Sequence, residues 1–328
     1  MRIAVTGSIA TDHLMTFPGS FAEQLMPDML DKVALSFLVD GLEIRRGGVA
    51  ANIAFGLGCL GLRPVLVGSV GRDFAEYRAW LITHGVDTGG VRESTLRHTA
   101  RFTNTTDLHG AHIGSFYTGA MAEDSSIDLA PIAEQAGGID LILVGPGDPE
   151  AMLRFTAQCR DLGIAFATDT SWQVARLDGT DVRALLDGAD YLFANEYEAA
   201  LTEQKTGWTA AEITARVRVR VTTLGKGGAR VDRAGQPPLL IPAVAVEPKE
   251  TTGAGDAFRA GFLAAIARDL GLERATQLGN LIAACALETV GPQEYELKPE
   301  PLTARFAAAY GSQAATDLAA LFAAAAPS

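Results

Sequence analysis

The chain is short of lysine, cysteine and long apolar runs, and each shortage removes a class of function. Only five of its 27 basic residues are lysine, and 39 acidic residues bring the formal net charge to -12. So acidic a chain has no basic face for nucleic acid, and a phosphate-bearing ligand has to be held by local backbone donors and metal. Cys59, Cys159 and Cys285 are odd in number, far apart and without metal-ligand spacing. They read as buried thiols in a reducing cytoplasm, not as a disulfide framework. No segment approaches the ~18 uninterrupted apolar residues that span a bilayer, and Met1 to Ser8 lacks the apolar core and cleavage site of a signal peptide. The expectation is a cytoplasmic protein with neither nucleic-acid nor membrane partners.

Familiar nucleotide and hydrolase motifs are missing too. There is no G-x-x-x-x-G-K-[ST] loop, no dinucleotide fingerprint with its ribose carboxylate, and no G-x-S-x-G elbow. His13, His84, His98, His109 and His112 are scattered without a nucleophile or metal partner by spacing.

What is present is a rhythm. Ile3 to Thr6, Val65 to Val70, Ile139 to Val144, Ile164 to Ala167, Tyr191 to Phe193 and Val217 to Leu224 read as strands. Helical patterns over Phe74 to His84, Glu150 to Leu162 and Asp181 to Leu186 lie between several of them. That alternation predicts an α/β fold, a mostly parallel sheet with helices on both faces. A hairpin-like pair follows, Ala229 to Asp232 and Leu239 to Val246, and then two apolar helices over Ala257 to Arg268 and Ala275 to Val290. Val33 to Val39, Ala100 to Thr106 and Ala111 to Tyr117 are strand-like where helices are expected. They predict a small β-rich lid of residues 11–46 and 98–120, leaving 1–10, 47–97 and 121–328 as the α/β core that binds substrate and nucleotide.

The most informative run is E-T-T-G-A-G-D-A-F-R-A, Glu250 to Ala260. Gly253, Ala254 and Gly255 let backbone N–H groups converge, and the helix that follows adds its partial positive charge, so the turn suits a phosphate oxygen. Asp256 then stands beside an anion hole, where accepting a proton from an attacking hydroxyl is the task that justifies its charge. A plain helix cap would use the same residue, and that alternative stands beside it.

Around it lie weaker signals. Gly47 and Gly48 allow close approach to a polyhydroxyl ligand, and Asn52, one helical turn on, offers a donor and an acceptor that suit a sugar diol. Asp12, after the first strand, is placed to accept from two adjacent hydroxyls, with a solvated loop Asp as the alternative. In N-E-Y-E, Asn195 to Glu198, Glu198 is the candidate for organising Mg2+ through its waters, with Glu196 as its rival. Thr223, Gly225 and Gly228 in T-L-G-K-G-G form a turn suited to outer phosphates or nucleotide. Phe102 and Phe116 serve either lid packing or a flat base.

Taken together, these segments resemble the ribokinase-like PfkB carbohydrate kinases over nearly the whole chain. Gly47 to Gly71 follows the family's first signature, and the second is matched from Thr251 onward. Glu250 departs from it, standing where Asp, Asn, Ser or Lys is usual, which bears on the local cap or cation environment. The opening A-V-T-G-S-I-A-T-D-H-L-M, L-S-F-L-V-D and H-T-A-R-F-T look most like actinobacterial adenosine kinases. The resemblance implies that ATP donates its γ-phosphoryl group to the 5'-hydroxyl of adenosine, with Mg2+ and K+ as cofactors and Asp256 as base at the Gly253 to Gly255 turn. It implies that Asp12, Gly48 and Asn52 hold the ribose, and that Ser8, Ser36, Phe102, Phe116, Gln173 and Arg176 surround the nucleoside. Trp172 beside Gln173 is unexpected there. Asn195, Thr223, Gly225, Gly228 and Thr252 would meet the nucleotide. The alternatives are a ribose or fructose kinase with the same machinery and a non-catalytic sensor. Small lid strands that pair across a two-fold axis would make a homodimer.

Overall fold

Short apolar strands, most leading into a helix, dominate the computed structural model, which describes residues 1–32 and 34–323. The strands are β1 Ile3–Thr6, β2 Ala10–Thr16, β3 Gly41–Gly47, β4 Val65–Val70, β5 Asp87–Glu93, β6 Ala100–Thr106, β7 His112–Tyr117, β8 Leu141–Val144, β9 Ala165–Asp169, β10 Tyr191–Asn195, β11 Val219–Thr223, β12 Ala229–Asp232 and β13 Leu239–Ile241. Nine of them form one sheet in the order β13-β12-β11-β10-β9-β8-β1-β4-β5, parallel from β11 to β5, with β12 and β13 antiparallel at one edge.

Both faces of this sheet are covered. β1, β4 and β8 are buried along their whole length, as strands enclosed by helices on either side must be. Val5 and Leu143 face a core with Phe55, Phe262 and Leu278 from the helices Val49–Cys59, Ala254–Ile266 and Gly271–Leu287. Ala4 and Ile142 face the opposite core, built with Met152, Phe155 and Leu185 from Pro149–Leu162 and Gly179–Leu186. This is a mostly parallel α/β sheet with helices on both faces, as expected.

A second sheet of four strands, β3-β2-β6-β7, stands apart from the first. Its composition corrects one expectation. Residues 34–39 form no strand, and Val33 lies outside the described residues; the strand begins at Gly41. Phe37 instead closes a small aromatic cluster with Phe17 and Phe21, while Leu38 stays exposed. The apolar run was therefore a local plug and not a sheet element. Two further differences have plain causes. β13 stops at Ile241, before Pro242, which lacks the N–H that would extend the pairing. The helix expected from Ala257 starts at Ala254, so the glycine turn is already its first turn.

The chain returns from β7 to the large sheet through a turn, Gly119–Ser126, that carries the buried carboxyl of Asp124. Its Oδ1 accepts from the Ser69 amide of β4 at 2.6 Å. Burial pushes this group from 3.8 up to about 8. With a raised folded value, its contribution to stability is complete below the ordinary carboxylate range and is lost as pH climbs through about 8. Asp124→Asn keeps the acceptor and discards the charge. Its melting temperature at pH 9 should exceed that of the parent by about 2 °C or more, with the gain vanishing near pH 4; a lower value at pH 9 contradicts the assignment.

Candidate active site

Asp256 sits in the first turn of helix Ala254–Ile266, whose start is set by Gly253 in the left-handed region at φ 79°. A Cβ at Gly253 would meet Pro292 Cβ at 2.4 Å, so both the turn and its packing demand glycine here. The Asp256 carboxylate is half-buried and accepts from Asn52 Nδ2 at 2.8 Å, joining two segments 204 residues apart. Burial pushes Asp256 up to about 7, opposed first by the Arg259 guanidinium and then by the Asn52 hydrogen bond.

Asn52 is itself held. Its Oδ1 accepts from Gln293 Nε2 at 2.9 Å, and Gln293 Oε1 accepts from Trp80 Nε1 at 3.1 Å. The same Gln293 amide nitrogen reaches Tyr77 Oη at 2.5 Å, and that hydroxyl donates to Gly47 O at 2.9 Å. The two glycines of the first signature have separate jobs. A Cβ at Gly47 would lie 2.7 Å from Asp12 Oδ2, and one at Gly48, φ 90°, would strike Ala10 N and Ser8 O at 2.5 Å. Burial raises Asp12 to about 6, with Arg45 acting against the rise.

Pairing of the small sheet fixes the rest of the site wall. Asp12 stands opposite Arg45 on β3 and Phe102 on β6, and Phe102 stands opposite Phe116 on β7. Residues directly across a sheet share a face, so one rung carries Arg45, Asp12, Phe102 and Phe116. Arg45 Nη1 reaches Glu250 at 2.9 Å, and the Phe116 ring lies 6.1 Å from that of Trp172. That face therefore turns toward the large sheet. Glu250 Oε2 also accepts from the Gly291 amide at 2.9 Å, so the residue that departs from the signature ties β3 to the loop beside the glycine turn.

Other expected residues gather less tightly. Ser8 Oγ accepts from Val49 N at 2.9 Å, and Gln173 donates to Gly147 O, next to Gly7 and Ser8. Arg176 is exposed, and Ser36 is exposed in the segment of Phe37. Glu198 is engaged in a capping box: Oε2 accepts from Asn195 N at 2.9 Å while Asn195 Oδ1 accepts from Glu198 N at 2.8 Å. Its Oε1 has only Ser171 Oγ at 3.4 Å. Glu196 belongs elsewhere, lining a cavity of about 720 Å³ with Glu203, Arg220 and Thr222 on the other face of β11 from Thr223. Gly225, φ 54°, faces open space, and Thr223 and Thr252 are accessible to a ligand. Gly228 has a structural reason of its own, since a Cβ there would lie 2.0 Å from Ile241 O. Gln293, Tyr77, Arg45, Asp169 and Arg259 carry no signal by spacing and emerge only from the fold.

Such a turn, with a carboxylate at a helix start and a polar wall for hydroxyls, is the equipment of phosphoryl transfer to an alcohol. The model of the pfkB family carbohydrate kinases matches residues 8–299. The chain belongs to this family. A nucleoside kinase from Burkholderia thailandensis in complex with ADP-inosine superposes with a TM-score of 0.80 at 34% identity, covering 94% of this chain and 96% of that one. A nucleoside kinase of Methanothermobacter thermautotrophicus is 28% identical over 81% of this chain and 85% of its own length. Ribokinase of Bacillus subtilis is 28% identical over 89% and 94%. As a PfkB member the chain is a phosphotransferase with a sugar or nucleoside acceptor. Among the described residues, no helix is long and apolar enough to cross a membrane.

Gln293 offers a direct check on the network behind Asn52. Gln293→Leu leaves Asn52 Oδ1 and Trp80 Nε1 unpaired and should cost about 1–3 kcal/mol in urea unfolding, with a larger loss of kcat than Trp80→Phe produces. A variant as stable and active as the parent would show that these bonds hold nothing.

Proposed function

We propose that this kinase transfers the γ-phosphoryl group of ATP to the 5'-hydroxyl of adenosine, giving AMP and ADP. The observation that carries the phosphotransfer is the Asp256 carboxylate, fixed by Asn52 at 2.8 Å in the first turn of a helix opened by Gly253. The acceptor hydroxyl gives its proton to Asp256 as its oxygen bonds to the γ-phosphorus. The bond from that phosphorus to the bridging oxygen breaks, and ADP leaves with the electron pair. The amides of Gly253 to Gly255 receive charge on the migrating group. Asp12, Gly48 and Asn52 hold the ribose, and Thr223, Gly225, Thr252 and Asn195 lie on the nucleotide side.

Among the described residues no three carboxylate, histidine or cysteine side chains converge on one point, and Glu198 Oε1 is only loosely engaged. Mg2+ bound with the nucleotide would neutralise phosphate charge, and Glu198 is the residue that would hold its waters. K+ would act near the turn, and Glu250, already paired with Arg45, is not counted among its ligands.

A nucleoside acceptor is favoured over a bare sugar by aromatic surface. Phe102 and Phe116 share the rung of Asp12, and Trp172, 40% exposed, stands across from Phe116. A purine attached to the sugar held by Asp12 would meet the Phe116 and Trp172 rings, which lie farther along the rung than a bare ribose or fructose needs. The small sheet closes over this ligand and excludes water. Its outer face exposes Leu42, Ile44 and Ile113, the surface through which we place a homodimer, which sedimentation of the purified chain reads directly.

Purified protein assayed with ATP, Mg2+ and adenosine, inosine, ribose or fructose in turn should turn over adenosine with the highest kcat/KM. Trp172→Ala and Phe116→Ala should each weaken the nucleoside by on the order of 1 kcal/mol and leave ribose unaffected; preference for ribose in the parent sinks the nucleoside reading. Asp256→Asn should keep the fold and lower kcat by roughly 10²–10⁴-fold. Because protonated Asp256 cannot accept a proton, kcat/KM should rise with pH through about 7 and level off above it; a profile flat from pH 5 to 9 would remove Asp256 as the base.

A further inference from the structure

Arg259 is buried one helical turn after Asp256, on an otherwise largely apolar helix. Its Nε lies 2.6 Å from Asp169 Oδ2 and its Nη2 2.8 Å from Oδ1, with the two side chains 7% and 1% exposed. Asp169 closes β9 and thus brings a carboxylate from the sheet edge to meet the helix. Nη1 points the other way. A Cβ added at Gly255 would sit 2.8 Å from it, so the guanidinium fills the space that glycine leaves at the turn. Phe193 lies beneath, its ring centre 5.7 Å from Cζ. A buried ion pair of this kind contributes little net stability compared with apolar residues of equal volume, so stability alone does not account for it.

We propose that Arg259, anchored by Asp169, is a positioning residue for phosphoryl transfer: it fixes a positive charge against Asp256 and under the Gly255 turn where the migrating group is received. The inference rests on the phosphotransfer reading above. Around Asp256, Asn52 donates a hydrogen bond, Arg259 favours the carboxylate, and Asp169 and Glu198 oppose it. The phenols of Tyr77 and Tyr295 face it as well and stay protonated. Arg259 and Asp169 thus act on Asp256 with opposite signs, although they act on the fold as one pair. Losing Arg259 drives the Asp256 titration upward, and losing the Asp169 charge drives it downward.

The test is the pH profile of kcat/KM, with KM and kcat resolved, for the parent, Arg259→Met and Asp169→Asn, each checked for folding by circular dichroism. Arg259→Met should lower kcat on the order of 10²-fold, leave the acceptor KM within about threefold, and move the acid limb to higher pH. Asp169→Asn should move that limb to lower pH. A merely structural pair would injure both variants alike and shift neither limb, and that result overturns the proposal. If a single change prevents folding, Arg259→Met combined with Asp169→Leu replaces the pair by apolar volume. A folded double variant with the parent's kcat overturns the proposal, and one that loses it on the order of 10²-fold supports it. A parent silent on every acceptor overturns the phosphotransfer reading as well, whereas an active parent with unmoved variants overturns the role of Arg259 alone.

Discussion

The carboxylates of Asp169 and Glu198 act through space on that of Asp256 at one glycine turn, and the buried guanidinium of Arg259 opposes them. Negative charge out of water is costly unless it is paired or protonated. The fold answers in three ways: Arg259 pairs with Asp169, Asn52 donates to Asp256, and Glu198 is spent on the cap of helix Glu196–Thr206. What remains is an Asp256 whose burial holds it near 7, poised between its two protonation states at ordinary pH. A repulsive field is thereby offset by one guanidinium and one amide.

The small sheet is joined to this centre by charge as well as by its aromatic face. Arg45 spans Glu43 on its own strand and Glu250 on the loop that leads into the glycine turn. Glu250 in turn holds the Gly291 amide, and Arg46 lies over Trp80, the residue that donates to Gln293. β3 is thus tied to the turn from one side and to the partners of Asn52 from the other, through contacts each a few ångströms long. Position of the small sheet and placement of the Asp256 carboxylate are therefore one mechanical problem.

Much of this was legible without coordinates. Short apolar strands separated by helical patterns gave the parallel sheet, because burial on both faces leaves a strand no polar positions to display. Asp256 and the glycines around it were readable because the backbone itself demands them: Gly253 for its positive φ, Gly48 for its contact with β2. Less legible was the segment before β3, where the apolar residues of 34–39 look like a strand but serve as a plug around Phe37. The β5 strand, D-T-G-G-V-R-E, escaped notice because its two glycines and charged ends interrupt any alternation. Glu198 was singled out for a metal, and the structure shows one oxygen of its carboxylate in a helix cap, which the spacing N-x-x-E also encodes.

Sequence alone determined the make-up of the turn, since the order of glycines, alanine and aspartate sets where backbone donors and one carboxylate can stand. It determined the fold class for the same reason of local periodicity. Only the tertiary structure decided what surrounds that carboxylate. Gln293 reaches Asn52 across 241 positions, Asp169 reaches Arg259 across 90, and Arg45 reaches Glu250 across 205. No local pattern encodes such pairs, because each partner obeys the rules of its own strand, helix or loop, and their meeting is fixed by how the two sheets and their helices pack.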